Sequence, residues 1–449
     1  MLSWGPGQGC GSLGCRAAAC LWPWSRPWPA DCELSKSLWP APFVAQQQAN
    51  ATFSGEPWFF LGLWYSPEYM LTPLLAAATA YGLSAMTSAR TARESNRLQV
   101  SWDSVSPPEY CVQGSDSHCG SCRLDFNSSW YFDRRGMCAS SVYPWRNARL
   151  TRYFGQKQQT TISSTFQSLP PALNGSTLLM IGDSVCRDQF VDLACSLDYS
   201  KSTQVNVHIK DVDPRVQPKE FLQSPLLISV HAKNMVFWVA LVTLRNLATG
   251  TQKLRGDIRR IAQLVKVQAK TKKVDVGPTV VHMCSIKAHS LNTHGYGRNT
   301  SAYFGDLLRL AMDLKADVDW KLFFYRPGPA THFATADAGY LPNRDAAPKP
   351  CRSIDPMNVS TQKNWFIQEE RMLTTRQPGI KVLSSVFDIS LAAWDMHPGV
   401  RQYVINNTDV YKTDCLHFCV VGNGYVGVYA AFNQLWWHEM RTAAAELPT

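Results

Sequence analysis

The sequence predicts an α/β layer fold, and three observations carry that prediction. Short apolar runs of strand length recur through the second half of the chain, at 177–181 (TLLMI), 234–244 (NMVFWVALVTL), 279–283 (TVVHM), 320–325 (WKLFFY) and 380–386. Between them lie segments whose apolar residues repeat at helical spacing. The tripeptide Gly182-Asp183-Ser184 sits directly between the first run and the first helix, a junction where open α/β sheets present their ligand-binding residues.

In chain order, residues 1–68 are rich in Trp, Pro, Gly and Cys and read as a leader or a disordered tail. Residues 69–89 form an uncharged run of spanning length, bounded by Glu68 and by Arg90, Arg93 and Arg97. It reads equally as a membrane anchor or a buried Ala-rich helix. Residues 90–150 carry Cys111, Cys119, Cys122 and Cys138 with Pro107-Pro108, which fits an irregular cross-linked stalk or subdomain. The α/β domain then occupies 151–449. Its first helix, 187–197, places Phe190, Leu193, Ala194 and Leu197 on one face. A second, 254–267, carries Ile258, Ile261, Leu264 and Val265 beneath a basic face of Lys253, Arg255, Arg259, Arg260 and Lys266. A third covers 302–314, and 424–440 is apolar enough for a closing helix.

Composition narrows the class. The 449 residues are 45% hydrophobic and 17% charged, which excludes a disordered, coiled-coil or collagenous chain. The net charge of +10 is modest at this length; it permits an acidic glycan or a membrane surface and does not indicate nucleic acid. Of 14 cysteines only Cys119 and Cys122 form a C-x-x-C, with no second pair to complete a zinc site, so disulfides are expected and no metal. Six N-x-S/T acceptors, at Asn50, Asn127, Asn174, Asn299, Asn358 and Asn406, agree with passage through the secretory pathway.

Two short motifs carry chemistry. Ser184, at a strand-to-helix turn, stands at the carboxyl edge of the sheet, where the helix N-terminus favours a developing oxyanion. Gly182 allows a tight turn there. Near the C-terminus, Asp414-Cys415-Leu416-His417 puts a carboxylate and an imidazole three residues apart. A serine hydroxyl needs a base to take its proton, and the base needs an acceptor to hold its tautomer, so His417 and Asp414 are the candidate partners of Ser184. The bland alternative is that Asp183 or Ser184 merely caps a helix.

With those residues in view, 178–197 (LLMIGDSVCRDQFVDLACSL) resembles the first signature block of the plant trichome birefringence-like family of PC-esterase domains. Arg187, Asp188-Gln189, Phe190 and Cys195 follow the GDS in the family's manner. The terminal block is similar at 414–437, through Asp414, Cys415, His417, Cys419, Gly422 and Phe432-Asn433. Looser likenesses lie at 322–333 (LFFYRPGPATHF), at 386–400 (VFDISLAAWDMHPGV) and around Cys122 to Trp130.

The resemblance implies an SGNH-hydrolase-like three-layer α/β/α sandwich with a mostly parallel sheet. It also implies a Golgi or secretory lumenal setting and transfer of O-acetyl groups to cell-wall polysaccharide through an acetyl-serine. Ser184 is then nucleophile, His417 base and Asp414 its orienting partner, with Gly182, Asp183 and Arg187 shaping the oxyanion and substrate site. No bound cofactor is implied, only an acetyl donor such as acetyl-CoA or an acetylated intermediate. The implied partner is a polysaccharide acceptor, with 69–89 a possible anchor. A carbohydrate acetylesterase and a non-catalytic glycan-binding protein are the alternatives.

Three departures bear on the site. Phe418 stands where the family has Trp, Asp188 where it has Asn, and 282–289 (HMCSIKAH) where it carries an Asn-bearing strand, so the side-chain oxyanion donor is unassigned. The Ser285-Ile286-Lys287 run also looks like the lumenal domain of sialic-acid O-acetyltransferases, which leaves the acceptor sugar open.

The remaining residues are read more plainly. Cys415 and Cys419 are expected in disulfides that pin the His417 turn, and Cys186 as a packed free thiol. His332 and His397 read as hydrogen-bonded turn histidines, with substrate contact the alternative. Arg326 reads as an acceptor-binding group or a surface ion pair. The basic helix face is expected to be solvated, or to dock an acidic polymer such as pectin. Trp436 and Trp437 are expected to pack.

Overall fold

The computed structural model of the chain describes residues 96–106, 124, 145–154, 158–162, 173–200, 203–209, 225–232, 234–244, 251–286, 300–334, 349–354, 356–377, 379–405, 408–421 and 426–445. The expected leader, the run at 69–89 and the cysteines from Cys10 to Cys138 lie outside the described residues.

The centre is a seven-stranded sheet. It is built from β4 (Thr177–Gly182), β5 (Thr203–Ile209), β6 (Leu226–Ala232), β7 (Met235–Thr243), β8 (Thr279–Cys284), β9 (Trp320–Arg326) and β10 (Ile380–Val382). The spatial order is β10-β9-β8-β4-β7-β6-β5. The five strands from β10 to β7 are mutually parallel, and the β5–β6 hairpin extends one edge antiparallel. The fold is therefore mixed α/β on a mostly parallel sheet. Counting the parallel strands by chain order, the chain begins at the middle with β4, moves to β7 on one side, and then crosses to β8, β9 and β10 on the other. The connections diverge between β4 and β8, and the carboxyl ends of those two strands are where such sheets bind ligands.

Side-chain alternation assigns the two faces. Leu178 and Met180 of β4 join one core with α1 (Ser184–Tyr199), α5 (Val386–Leu391) and α6 (Val428–Ala445). Leu179 and Ile181 join the other with α2 (Thr251–Lys272), α3 (Thr300–Asp317) and Leu373 of α4 (Pro356–Arg376). Each fully buried Leu, Ile or Phe contributes about 1.5–3 kcal/mol, which explains why a strand covered on both sides reads as a continuous apolar run.

Two smaller sheets frame this body. In one, β1 (Asn96–Ser104), β2 (Arg146–Phe154) and β3 (Gln158–Ile162) pair antiparallel. It is tied to the main body by Arg146 donating to Asp395 at 2.6 Å, by the Asn147–Val426 bridge and by the Arg152–Glu439 ion pair. The other is the hairpin of β11 (Gly399–Ile405) and β12 (Thr408–Asp414).

Several expectations are corrected here. The stretch 90–150 is not irregular throughout, because β1 and half of β2 lie in it, and the expected boundary at 150 falls inside β2. The signal was present: Leu98, Val100 and Trp102 alternate and pack against the core. The expected strand 380–386 is only three residues long. Leu383 ends it by donating its N–H to the Tyr325 carbonyl, the chain turns at Ser384-Ser385, and Val386 opens α5. The basic helix is longer than its apolar core, and Arg255 pairs with Asp317 at 2.5 Å and Asp313 at 3.6 Å on α3, as a solvated face would. No helix among the described residues is long and apolar enough to cross a membrane.

Candidate active site

Asp414 ends β12 opposite Gly399, and its carboxylate organises the turn that follows. Oδ1 accepts from the Leu416 N–H at 3.3 Å and the His417 N–H at 3.1 Å, an Asx-type turn. The same turn brings the ring of His417 back over the carboxylate. Nδ1–H donates to Oδ1 and Oδ2, both at 3.0 Å, so the ring's lone pair is left on Nε2. That atom accepts from the Ser184 hydroxyl at 2.7 Å, across 233 residues of sequence.

Ser184 reaches this position because β4 ends and α1 begins there. Asp183 is the helix N-cap, its Oδ1 accepting from the Val185 N–H at 3.0 Å, which leaves the Ser184 side chain for His417. The two bland readings of the tripeptide thus divide: Asp183 caps, and Ser184 does not. Gly182 is required for a reason other than the one the sequence suggests. It does not adopt a positive φ. Instead, a Cβ there would lie 2.6 Å from Cys186 Cβ and 2.8 Å from Cys284 Cβ, contacts that no side chain can make.

Those two cysteines are joined. Cys186, expected as a free thiol, forms a disulfide with Cys284 and so fastens the first turn of α1 to the carboxyl end of β8. Proximity of distant segments makes the pair, and no spacing rule in the sequence announces it. Cys415 pairs with Cys351, fixing the residue next to Asp414 in the turn that leads to His417, and Cys419 is also disulfide-bonded.

The electrostatics follow from burial and neighbours. Burial opposes charge on Asp414, but His417, through its charge and its hydrogen bonds, outweighs that and holds the carboxyl well below the usual carboxylate range. Burial likewise pulls His417 down, yet Asp414 against Nδ1 outweighs it, with Asp188 adding to the rise and Arg187 opposing it, and the net shift is upward. Arg187 and Asp188 form a buried ion pair at 2.9 Å on the turn of α1 after the serine. An imidazole oriented this way can take the Ser184 proton and return it to a leaving group.

Other singled-out residues are placed elsewhere. Ser285 turns to the opposite face, where it, Tyr303 and Tyr325 all donate to the buried Glu369. Cys284 is in its disulfide, and His289 lies outside the described residues. His282 is buried against the Trp436 ring, 4.3 Å between centroids. Arg326 is not a surface ion pair. It is fully buried beneath α6, its guanidinium 5.5 Å from the Phe432 ring centre, and Nε and Nη2 find no hydrogen-bond partner among the described residues. Trp436 and Trp437 pack, as expected. No group of His, Cys, Asp and Glu among the described residues could hold a metal.

Sequence reasoning passed over two arrangements. Gln189 Nε2 donates to Asn433 Oδ1 at 3.0 Å, while Asn433 Nδ2 donates to Asp192 Oδ2 at 3.2 Å and the Gln189 carbonyl at 3.3 Å. The two sequence blocks, 244 residues apart, are thus stitched together behind the serine. Their amides at apolar helical positions were the available signal. The second arrangement is the contact between His332 and His397 at 2.7 Å. No protein-family model, curated protein or solved structure matches the chain.

Proposed function

We propose that this protein is an SGNH-like O-acetyltransferase of the secretory pathway that moves an acetyl group through Ser184 onto a polysaccharide hydroxyl. One observation carries the reading: the Ser184 hydroxyl, His417 ring and Asp414 carboxylate stand in hydrogen-bonded series at the carboxyl edge of the parallel sheet. Support comes also from the strand order, from helices against both sheet faces, from the two sequence blocks that resemble the trichome birefringence-like family, and from cysteines in disulfides.

The reaction is two displacements. Ser184 Oγ attacks the carbonyl carbon of an acetyl donor as His417 Nε2 takes its proton; the tetrahedral oxyanion collapses, the donor's leaving group departs with the proton from Nε2, and an acetyl-serine is left. A sugar hydroxyl then gives its proton to Nε2 and attacks the same carbon, and Ser184 Oγ leaves carrying the proton. Asp414 holds the ring and stabilises the imidazolium in both halves. The Ser184 N–H at the start of α1, the helix dipole and the neighbouring Arg187 are the groups assigned to the oxyanion.

Exposure of the purified protein to p-nitrophenyl acetate, followed by rapid acid quench and peptide mass spectrometry, tests the first half. A gain of one acetyl group on the peptide containing Ser184, absent from Ser184→Ala, is expected. Adding acetylated donor and acceptor oligosaccharides tests the second half: acetylated acceptor is the expected product. Free acetate alone would make the protein an esterase, and full glycan-linked activity in Ser184→Ala would make it a non-catalytic binder.

A further inference from the structure

Behind the base lies a pair of buried histidines joined in one row of three contacts. His332 Nε2 faces the Leu391 carbonyl at 3.1 Å, His332 Nδ1 faces His397 Nε2 at 2.7 Å, and His397 Nδ1 faces the His417 carbonyl at 2.5 Å. Both carbonyls only accept, so filling all three contacts requires three protons on two rings, hence one positive charge. Burial disfavours that charge, lowering His332 to about 4 and His397 to about 3. With two protons one contact goes unmade, and leaving out the longest, to Leu391, is the arrangement that keeps both shorter contacts. His397 then carries its proton on Nδ1 and donates to the His417 carbonyl, while His332 carries its own on Nδ1 and donates to His397 Nε2. His397 also stacks on Phe418, with ring centres 4.2 Å apart and planes at 26°.

Resting on the acyl-serine reading above, we propose that His397 is a positioning residue for the base: its Nδ1–H grips the backbone of His417, and His332 fixes the tautomer that makes this possible. The pair does for the main chain of His417 what Asp414 does for its ring. Asp414, Asp188 and Arg187 bear on the His417 ring, and His397 is coupled to it by charge; a turn loosened by loss of the grip relaxes the contact with Asp414, which does most to raise its proton affinity.

The test is His397→Ala beside His397→Asn, whose carboxamide N–H can stand in for Nδ1–H. Each is read by steady-state turnover of p-nitrophenyl acetate and by NMR titration of His417. For His397→Ala, kcat is expected to fall about tenfold or more with KM within about threefold, and the His417 pKa to move down toward 6.5. His397→Asn should recover most of both. Wild-type values in His397→Ala, or no recovery in a folded His397→Asn, would overturn the proposal. Should His397→Ala not fold, His332→Phe keeps a ring and removes the donor to His397; an unaltered His417 titration there would overturn it equally. If the wild-type protein turns over no acetyl ester, the catalytic reading fails, while the titration still decides whether His397 positions His417.

Discussion

On the proposed acyl-serine mechanism Ser184, His417 and Asp414 would act as a unit, so Ser184→Ala and His417→Ala should each cost about a thousandfold or more in acetyl-ester turnover, and the double variant little beyond either single one. The pH dependence follows from the direction of the His417 shift. As the proposed base His417 would work when neutral, and its affinity for a proton is raised, so kcat/KM should climb with pH to a plateau through a midpoint above 6.5. A midpoint below 6.5, measured over pH 5 to 9, would contradict the Asp414–His417 arrangement. Gly182 gives a different kind of prediction. Its neighbours Cys186 and Cys284 are bonded to one another and cannot both move away, so Gly182→Ala should destabilise by about 1–3 kcal/mol and displace Ser184. Urea denaturation together with acyl-serine yield would read both effects.

At the level of elements, the serine and its base are carried by segments that must be held in register. α1 and α6 pack side by side on one face of the sheet, and the Gln189–Asn433–Asp192 cluster is their polar fastening. Asn433→Leu removes the acceptor of Gln189 Nε2 and one of the donors to Asp192 in a buried site and should cost about 2–3 kcal/mol. Gln189→Leu with Asn433→Leu should cost less than the two singles summed, because neither then strands the other; equal sums in a double-mutant cycle would show that the amides act independently. The expected strand at 380–386 and the irregular reading of 90–150 failed at this same level. Short elements give few periods to count, and β10 is a strand chiefly because β9 offers it an open edge.

On the scale of the whole molecule, disulfides and buried histidines set the conditions for stability. The Cys186–Cys284 and Cys351–Cys415 bonds close loops of 98 and 64 residues, and chain entropy assigns each about 4–5 kcal/mol. Both also clamp the site, so reduction with dithiothreitol should abolish acyl-serine formation while lowering the calorimetric Tm. Acid should act through His332 and His397. Their folded pKa values of about 4 and about 3 lie below the unfolded 6.5, so over that window the unfolded chain binds more protons than the folded one. Stability is therefore lost as pH falls from about 6.5, at up to ~1.4 kcal/mol per pH unit for each ring. Asp414 adds to this below about 3.8, where the unfolded carboxyl takes up a proton that the folded one, with its lowered pKa, still refuses. Unfolding midpoints in urea at pH 7 and pH 5 should differ accordingly.

While β6 and the 21-residue α4 went unread, the amino-acid order alone determined the class of fold, the strands β4, β7, β8 and β9, the helices α1, α2, α3 and α6, and Ser184, His417 and Asp414 as candidates. These are legible because apolar periodicity and strand-to-helix turns are local properties, written within a few residues. Only the tertiary structure decided that Ser184 and His417 meet at 2.7 Å, that Cys186 belongs with Cys284, that Gly182 is small because a disulfide crosses it, and that His332 and His397 stand behind the base. Each of those facts is a contact between segments tens to hundreds of residues apart. Such a contact is fixed by how sheet and helices pack, and no short stretch of sequence contains both halves of it.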